Sequence, residues 1–128
     1  MVYIGNAFSL QMVQSSCTAQ IHEVCAGGAK EEIAYNVLKG TAQFCIGHAD
    51  TARITAKYLN DTQAGCVAGN RLDEVKFTEE QLFHRVNVNL VPGDVLYVLQ
   101  VVGGRLPEGC TELPEGVQLR WKKVAISD

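Results

Sequence analysis

The chain has 128 residues, 47% of them hydrophobic and 20% charged, with a net charge of −3. That is room for one domain built on one sheet and a few helices, and too apolar for a disordered chain. The negative charge argues against broad contact with long nucleic acid, which rests on extended positive surface, but leaves space for a pocket with a few local arginines. No stretch approaches the roughly 18–20 apolar residues of a membrane span.

Val2 to Gly5 reads as a short strand that belongs to the fold, with no basic leader ahead of it. Asn6 and Ser9 follow it. Such residues close turns by bonding the backbone, and spacing alone favours that reading. The alternative is that they face a ligand at the strand's carboxyl end. Thr18 to Val24 is a second, weaker strand, broken by Cys25-Ala26-Gly27-Gly28. Lys30 to Lys39 reads as a helix with Glu31 and Glu32 in its first turn, where acidic groups suit the dipole. Ile33, Ala34, Val37 and Leu38 form its expected buried stripe, and Gly40 ends it.

Thr41 to Ile46 is a strand that runs into Gly47-His48, just before a helix from Asp50 or Thr51 to Leu59. The spacing of Thr51, Ile54, Thr55, Tyr58 and Leu59 defines its buried face, and Arg53 and Lys57 lie together on the other, read first as a solvated face and second as a phosphate contact. A helix N-terminus offers unpaired N–H groups and a positive dipole end, which suit phosphate, and Gly47 permits close approach of a ligand. His48 can donate a proton to whatever lies there.

Asn60 to Glu74 reads as a loop or excursion. Thr78-Glu79-Glu80-Gln81 has the pattern of a capping box, so a turn or two of helix follows. Arg85 to Val91 alternates like a strand, with Val86, Val88 and Leu90 on one side and Arg85, Asn87 and Asn89 on the other. Pro92-Gly93-Asp94 is a turn. Val95 to Val102 is a nearly continuous apolar strand buried on both faces, in which Gln100 is either satisfied by backbone or facing a site. The tetrad Leu-Pro-Glu-Gly occurs at Leu106 to Gly109 and again at Leu113 to Gly116, which reads as two turns. Val117 to Ile126 is the last strand, with a bulge or register change at Lys122-Lys123. The expected fold is α+β (mixed α/β): a single domain with a central mixed, mainly antiparallel sheet packed against a few helices.

The five cysteines, Cys17, Cys25, Cys45, Cys66 and Cys110, form no Cys-x-x-Cys pair and read as reduced thiols of a cytoplasmic protein. His22, His48 and His84 do not cluster with them as zinc ligands would. Spacing alone leaves His48, Arg85, Arg105, Glu108 and Gln100 as site candidates beside ordinary structural roles, and reaches no further than an α+β domain.

Four stretches together reach further. Gly5-Asn6-Ala7-Phe8-Ser9-Leu10-Gln11-Met12 resembles the N-terminus of the ring nucleases that archaeal viruses and phages use as type III anti-CRISPR proteins. Ile46-Gly47-His48 ahead of its helix resembles that family's histidine motif. Arg85 to Leu90 with Gly93 to Gln100, and then Arg105-Leu106-Pro107-Glu108-Gly109, resemble its arginine-bearing strand, the next strand, and its arginine and glutamate loop. The order and spacing match over most of the chain, with an insertion or excursion at 60–84. Glu115 rivals Glu108, but only Glu108 follows an Arg-Leu pair.

The resemblance implies a homodimer that binds cyclic tetra-adenylate and linearises it without metal or other cofactor. His48 and Glu108 would be catalytic, and Asn6, Ser9, Gly47, Arg85, Gln100 and Arg105 would bind substrate. It implies a cytoplasmic protein, working in host cytoplasm against the host's defence if the gene is viral and switching off the host's own signal if it is cellular, with neither membrane nor long nucleic acid as partner. The competing expectations are a cyclic-nucleotide-binding module without turnover, and a structural or interaction protein whose His48 is merely packed.

Overall fold

The computed structural model describes residues 1–65 and 71–128. Its elements are strand β1 (Val2–Gly5), strand β2 (Thr18–Val24), helix α1 (Ala26–Lys39), strand β3 (Ala42–Cys45), helix α2 (Ala49–Asp61), the short helix α3 (Glu79–Leu82), strand β4 (Val95–Val102) and strand β5 (Gln118–Ser127). The strands form one mixed sheet in the order β2-β5-β4-β1-β3. The β2–β5 and β5–β4 ladders are long and antiparallel, whereas β1 pairs parallel with both β3 and β4. The fold is therefore α+β.

The helices cover one face of the sheet. Ile4, Phe44, Leu99 and Trp121 meet Ile33 and Ala34 of α1 and Ile54 and Leu59 of α2 there. Phe77 closes this layer with its ring edge-on to Phe44 at 6.1 Å. On the opposite face Leu90, Leu96, Val98, Val124 and Ile126 are buried, and among the described residues no α-helix packs on them. A 3-10 turn at Leu10–Met12 and the extended chain around Val13 and Val88 lie there instead.

Several expectations hold at the level of mechanism. Gly40 caps α1 in the left-handed conformation at φ 76°, and its N–H bonds the carbonyls of Asn36 and Val37. Thr78 and Gln81 form the capping box of α3. The two Leu-Pro-Glu-Gly tetrads are matching turns. Cys110 N donates to Pro107 O and Val117 N to Pro114 O, each at 3.1 Å, with Gly109 and Gly116 at positive φ.

Other expectations are corrected. Helix α1 begins at Ala26, four residues before Lys30, so Glu31 and Glu32 lie past its first turn. Cys25 caps it by accepting from Gly28 N at 3.4 Å. Gly27 is tolerated because a Cβ there would lie 2.7 Å from Gly65 O, and Gly65 N bonds Gly27 O at 2.8 Å. Leu38 is on the solvent side of α1. Arg85 to Val91 is not a strand; only Leu90 bridges, to Val13. Of its alternating apolar residues Val88 and Leu90 pack on the sheet while Val86 is exposed, so the pattern reports packing of its second half and not ladder pairing. Lys122 and Lys123 sit in unbroken register with β2 and β4, so there is no bulge. In β4, Leu96 to Leu99 are buried, but Gln100 is exposed. Within the expected excursion, Arg71–Glu74 forms a 3-10 turn. Residues 66–70, Cys66 among them, lie outside the described residues; the other four cysteines are free thiols.

Candidate functional site

Because β4, β1 and β3 are adjacent and parallel, their carboxyl ends share one edge of the sheet. Gly5 is level with Cys45 on one side and Val98 on the other. Asn6, Gly47-His48 and Gln100 therefore emerge together, in the position where open parallel sheets offer ligand crevices. Asn6 reaches across this edge, and its Oδ1 accepts from Gly47 N at 3.5 Å.

His48 is the N-cap of α2, in extended conformation at φ −128°. Its imidazole makes no capping bond and is exposed to solvent. It lines a depression of about 330 Å³ with Thr51, Val101, Gly104, Arg105 and Leu106. The N–H groups of the first turn of α2 belong to the same corner. Thr51 also borders a second depression, of about 580 Å³, with Asn6 and Gln100. Asn6 in turn borders a cleft of about 540 Å³ lined by Ser9, Cys45, Gly47, Asn87 and Asn89. The hollows form a continuous belt around the strand ends.

Arg85 stands on the flank of this belt. Ile46 N bonds Leu82 O and His84 N bonds Ile46 O, so residues 82–84 run alongside the end of β3. From there Arg85 Nε donates to Gly47 O at 3.1 Å, and its guanidinium lies 5.5 Å from the centre of the Phe83 ring. A Cβ on Gly47 would meet only Arg85 Cγ, at 3.9 Å, so the protein's own packing does not demand glycine there.

Arg105 arrives on the loop after β4, whose base is pinned by Gly103. That residue is at φ 89°, and a Cβ on it would lie 2.3 Å from Gly116 O. The far end is tied to α2. Gly109 N donates to Asp50 Oδ2 at 3.2 Å, and Arg53 donates to Asp50 Oδ1 and to Cys110 O, both at 2.9 Å. Arg53 Nε also holds Glu79 of α3 at 2.8 Å. The Glu79 hydrogen bond, above all, raises the pKa of this guanidinium further. Arg53 is thus a clamp and not the solvated residue its helical spacing indicated. Asp50 and Arg53 were missed as site-building residues. Their i,i+3 spacing is visible in the sequence, but their distant partners are not.

Glu108 sits in the Pro107–Cys110 turn, next to the Gly109–Asp50 bond and exposed. Among the described residues no hydrogen bond or ion pair joins it to His48. Cys45 borders the belt, but burial pushes its thiol up to about 11, and its Sγ donates to Ile4 O at 3.3 Å. At neutral pH it stays protonated and is no nucleophile. Among the described residues no helix is long and apolar enough to cross a membrane.

No protein-family model matches the chain, and no curated protein matches it. Among solved structures, the chain shares its α+β fold with a viral protein. That protein is B116 of Sulfolobus turreted icosahedral virus, similar at a TM-score of 0.66 over 97% of this chain and 97% of that one, with 20% sequence identity. At that identity the likeness shows the fold.

Proposed function

We propose that this protein is a viral ring nuclease that binds cyclic tetra-adenylate as a homodimer and cleaves it without a metal, ending type III CRISPR signalling in the host cytoplasm. The observation that carries the reading is the shared depression at the start of α2. There an exposed His48 that makes no side-chain capping bond, and an Arg105 on the loop whose far end at Gly109 and Cys110 is tied to α2 by Asp50 and Arg53, border one hollow. The four matching sequence stretches and a fold shared with a viral protein support it.

The chemistry needs little from the protein because the substrate carries its own nucleophile. A ribose 2′-oxygen attacks the adjacent phosphorus in line and gives up its proton to solvent or a base. The bond from phosphorus to the 5′-oxygen breaks, leaving a 2′,3′-cyclic phosphate. The protein must align the attack, steady charge on the phosphate and protonate the departing oxygen. His48 donates that proton. Arg105 and Arg85 bind phosphate oxygens through their planar guanidinium groups. Glu108, in the Pro107–Cys110 turn of the same loop, is the carboxylate that serves His48 in this reading. Asn6, Ser9 and Gln100 contact ribose or base, and Gly47 leaves room for the chain of the ring.

A ring of four identical nucleotides can share a two-fold axis with a dimer, placing one His48 on each side. Leu10 and Val86, 76% and 45% exposed, flank the belt and supply apolar surface for a second copy to cover. The net charge of −3 is no obstacle to a small enclosed ligand.

The test is a cleavage assay with cyclic tetra-adenylate in excess EDTA, read by chromatography and mass. Linear adenylates with 2′,3′-cyclic phosphate ends are expected. His48→Ala should slow the reaction by about 10²–10⁴-fold, the usual worth of a general acid. Full activity in His48→Ala would overturn the mechanism, and tight binding with no product over hours would make the protein a sensor.

A further inference from the structure

The face of the sheet away from the helices carries a second kind of hollow. Register places Val98 of β4 opposite Lys122 of β5, and Ile21 of β2 opposite Val124. Together with Asn6, Phe8 and Gln100 these residues enclose about 270 Å³. That is just below the roughly 300–1,000 Å³ typical of drug-sized ligands, a size for one nucleoside and not for a whole ring. Its walls are apolar on Phe8, Val98, Val124 and the half-exposed Ile21. Its polar groups are two amides and one ammonium.

Lys122 is the unusual member. Its cross-strand neighbour in β2 is Glu23, the obvious counter-charge. Glu23 instead pairs with Arg120 at 3.6 Å. Among the described residues no hydrogen bond or ion pair engages the Lys122 ammonium. A partly buried lysine therefore lines an apolar hollow while its cross-strand carboxylate pairs elsewhere. The hollow shares Asn6 and Gln100 with the depression at the strand ends, so the two are continuous.

We infer that this hollow is a subsite for one adenosine phosphate unit, resting on the ring-nuclease reading. The base lies against Phe8 and Ile21, since aromatic and apolar surface accepts the face of any base. The amides of Asn6 and Gln100 read its edge, as amide side chains match the adjacent donor and acceptor of adenine. Lys122 takes the neighbouring phosphate as a point charge. The ring then straddles the strand ends, with the scissile phosphate on the His48 side and a second nucleotide held on the open face. Lys122 is a binding residue and takes no part in the bond-breaking step.

The test uses the full chain. Affinity for cyclic tetra-adenylate is measured calorimetrically in the His48→Ala background, with and without Lys122→Met, which keeps the length and packing of the stem. Loss of a charge-assisted contact predicts binding at least about tenfold weaker, restored by Lys122→Arg, with an unchanged thermal midpoint. In the His48 chain, kcat at saturating ring should be unchanged by Lys122→Met while KM rises. Undiminished affinity in Lys122→Met overturns the subsite and leaves the nuclease reading standing. If the ring fails to bind even with Lys122 present, the nuclease reading fails, and the subsite is judged with 5′-AMP and 5′-IMP by NMR. Shifts at Phe8, Ile21 and Val124 with AMP, weaker with IMP and made equal by Gln100→Leu, support it. Shifts elsewhere, or none, overturn it.

Discussion

The two faces of the sheet are held by different means. On the helix face, three helices lay apolar stripes on Ile4, Phe44, Leu99 and Trp121, and each helix satisfies its own backbone. On the other face, Leu90, Leu96, Val98, Val124 and Ile126 are covered by a 3-10 turn and by extended chain, which one bridge between Val13 and Leu90 joins. Such cover contributes fewer internal hydrogen bonds per residue and opens more cheaply. The polar residues Ser9, Asn87 and Asn89 are carried by that cover or lie beside it. The helix face stores stability, and the other face and the strand ends present groups to a ligand.

The largest effect that would break this contrast is Trp121→Ala. Trp121 is 1% exposed in the helix-face core, and truncating such a side chain costs about 3–5 kcal/mol. Chemical denaturation should show that loss, while the folded fraction keeps its ring affinity. A variant that loses affinity in proportion would show that the faces are not separable. Next comes the link between them, the Asp50–Arg53 clamp. Asp50→Asn keeps an acceptor for Gly109 but removes the charge that Arg53 holds. We expect kcat/KM to fall about tenfold, or about 1.4 kcal/mol at the transition state. Asp50→Glu, which keeps the charge, should restore part of it. Unchanged kinetics in Asp50→Asn would mean that Arg105 reaches its position without the tether.

The sequence was most legible where one residue's own chemistry decides local structure. Gly40 as a left-handed cap, Thr78 with Gln81, the two Pro-Glu-Gly turns and the apolar run of β4 are of this kind. Legibility failed where a distant partner decides. The Gly27-Gly28 pair reads as a break, yet helix continues through it because Gly65 packs against Gly27. Lys30 reads only as the start of a helix, and its spacing gives no sign that its side chain is buried. It donates to Thr62 O and pairs with Asp73 at 3.8 Å. The alternation of Arg85 to Val91 reports packing of Val88 and Leu90 against a sheet, and an extended segment atop the sheet produces the same pattern as a strand within it. The strand-end cluster of Asn6, Gly47, His48 and Gln100 became coherent only once β1 was seen to lie between two parallel partners. Local spacing does not encode that order.

The smallest effect separates the faces by pH. Burial holds acidic protons on both faces, Cys45 and Tyr3 on the open one and Tyr97 on the helix one. Cys45 borders the ligand side and is pushed up to about 11, and Tyr97 lies in the helix-face core and is pushed up to about 12, both mainly by burial. In the unfolded chain these groups ionise at their ordinary values, 9.0 and 10.0. Below pH 9 both states carry both protons, so neither group tilts the balance. Above it the unfolded chain releases protons that the folded chain retains, and stability falls with rising pH. The Cys45 contribution is lost between pH 9.0 and about 11, and that of Tyr97 between 10.0 and about 12. Urea unfolding followed from pH 7 to pH 11 should therefore be flat to pH 9 with respect to these two groups and decline beyond it. Cys45→Ala should remove the earlier part of the decline, and Tyr97→Phe some of the later part. If Cys45→Ala leaves the slope between pH 9 and pH 10 unchanged, its thiol is already open to solvent, and the ligand side of the sheet is looser than its packing indicates.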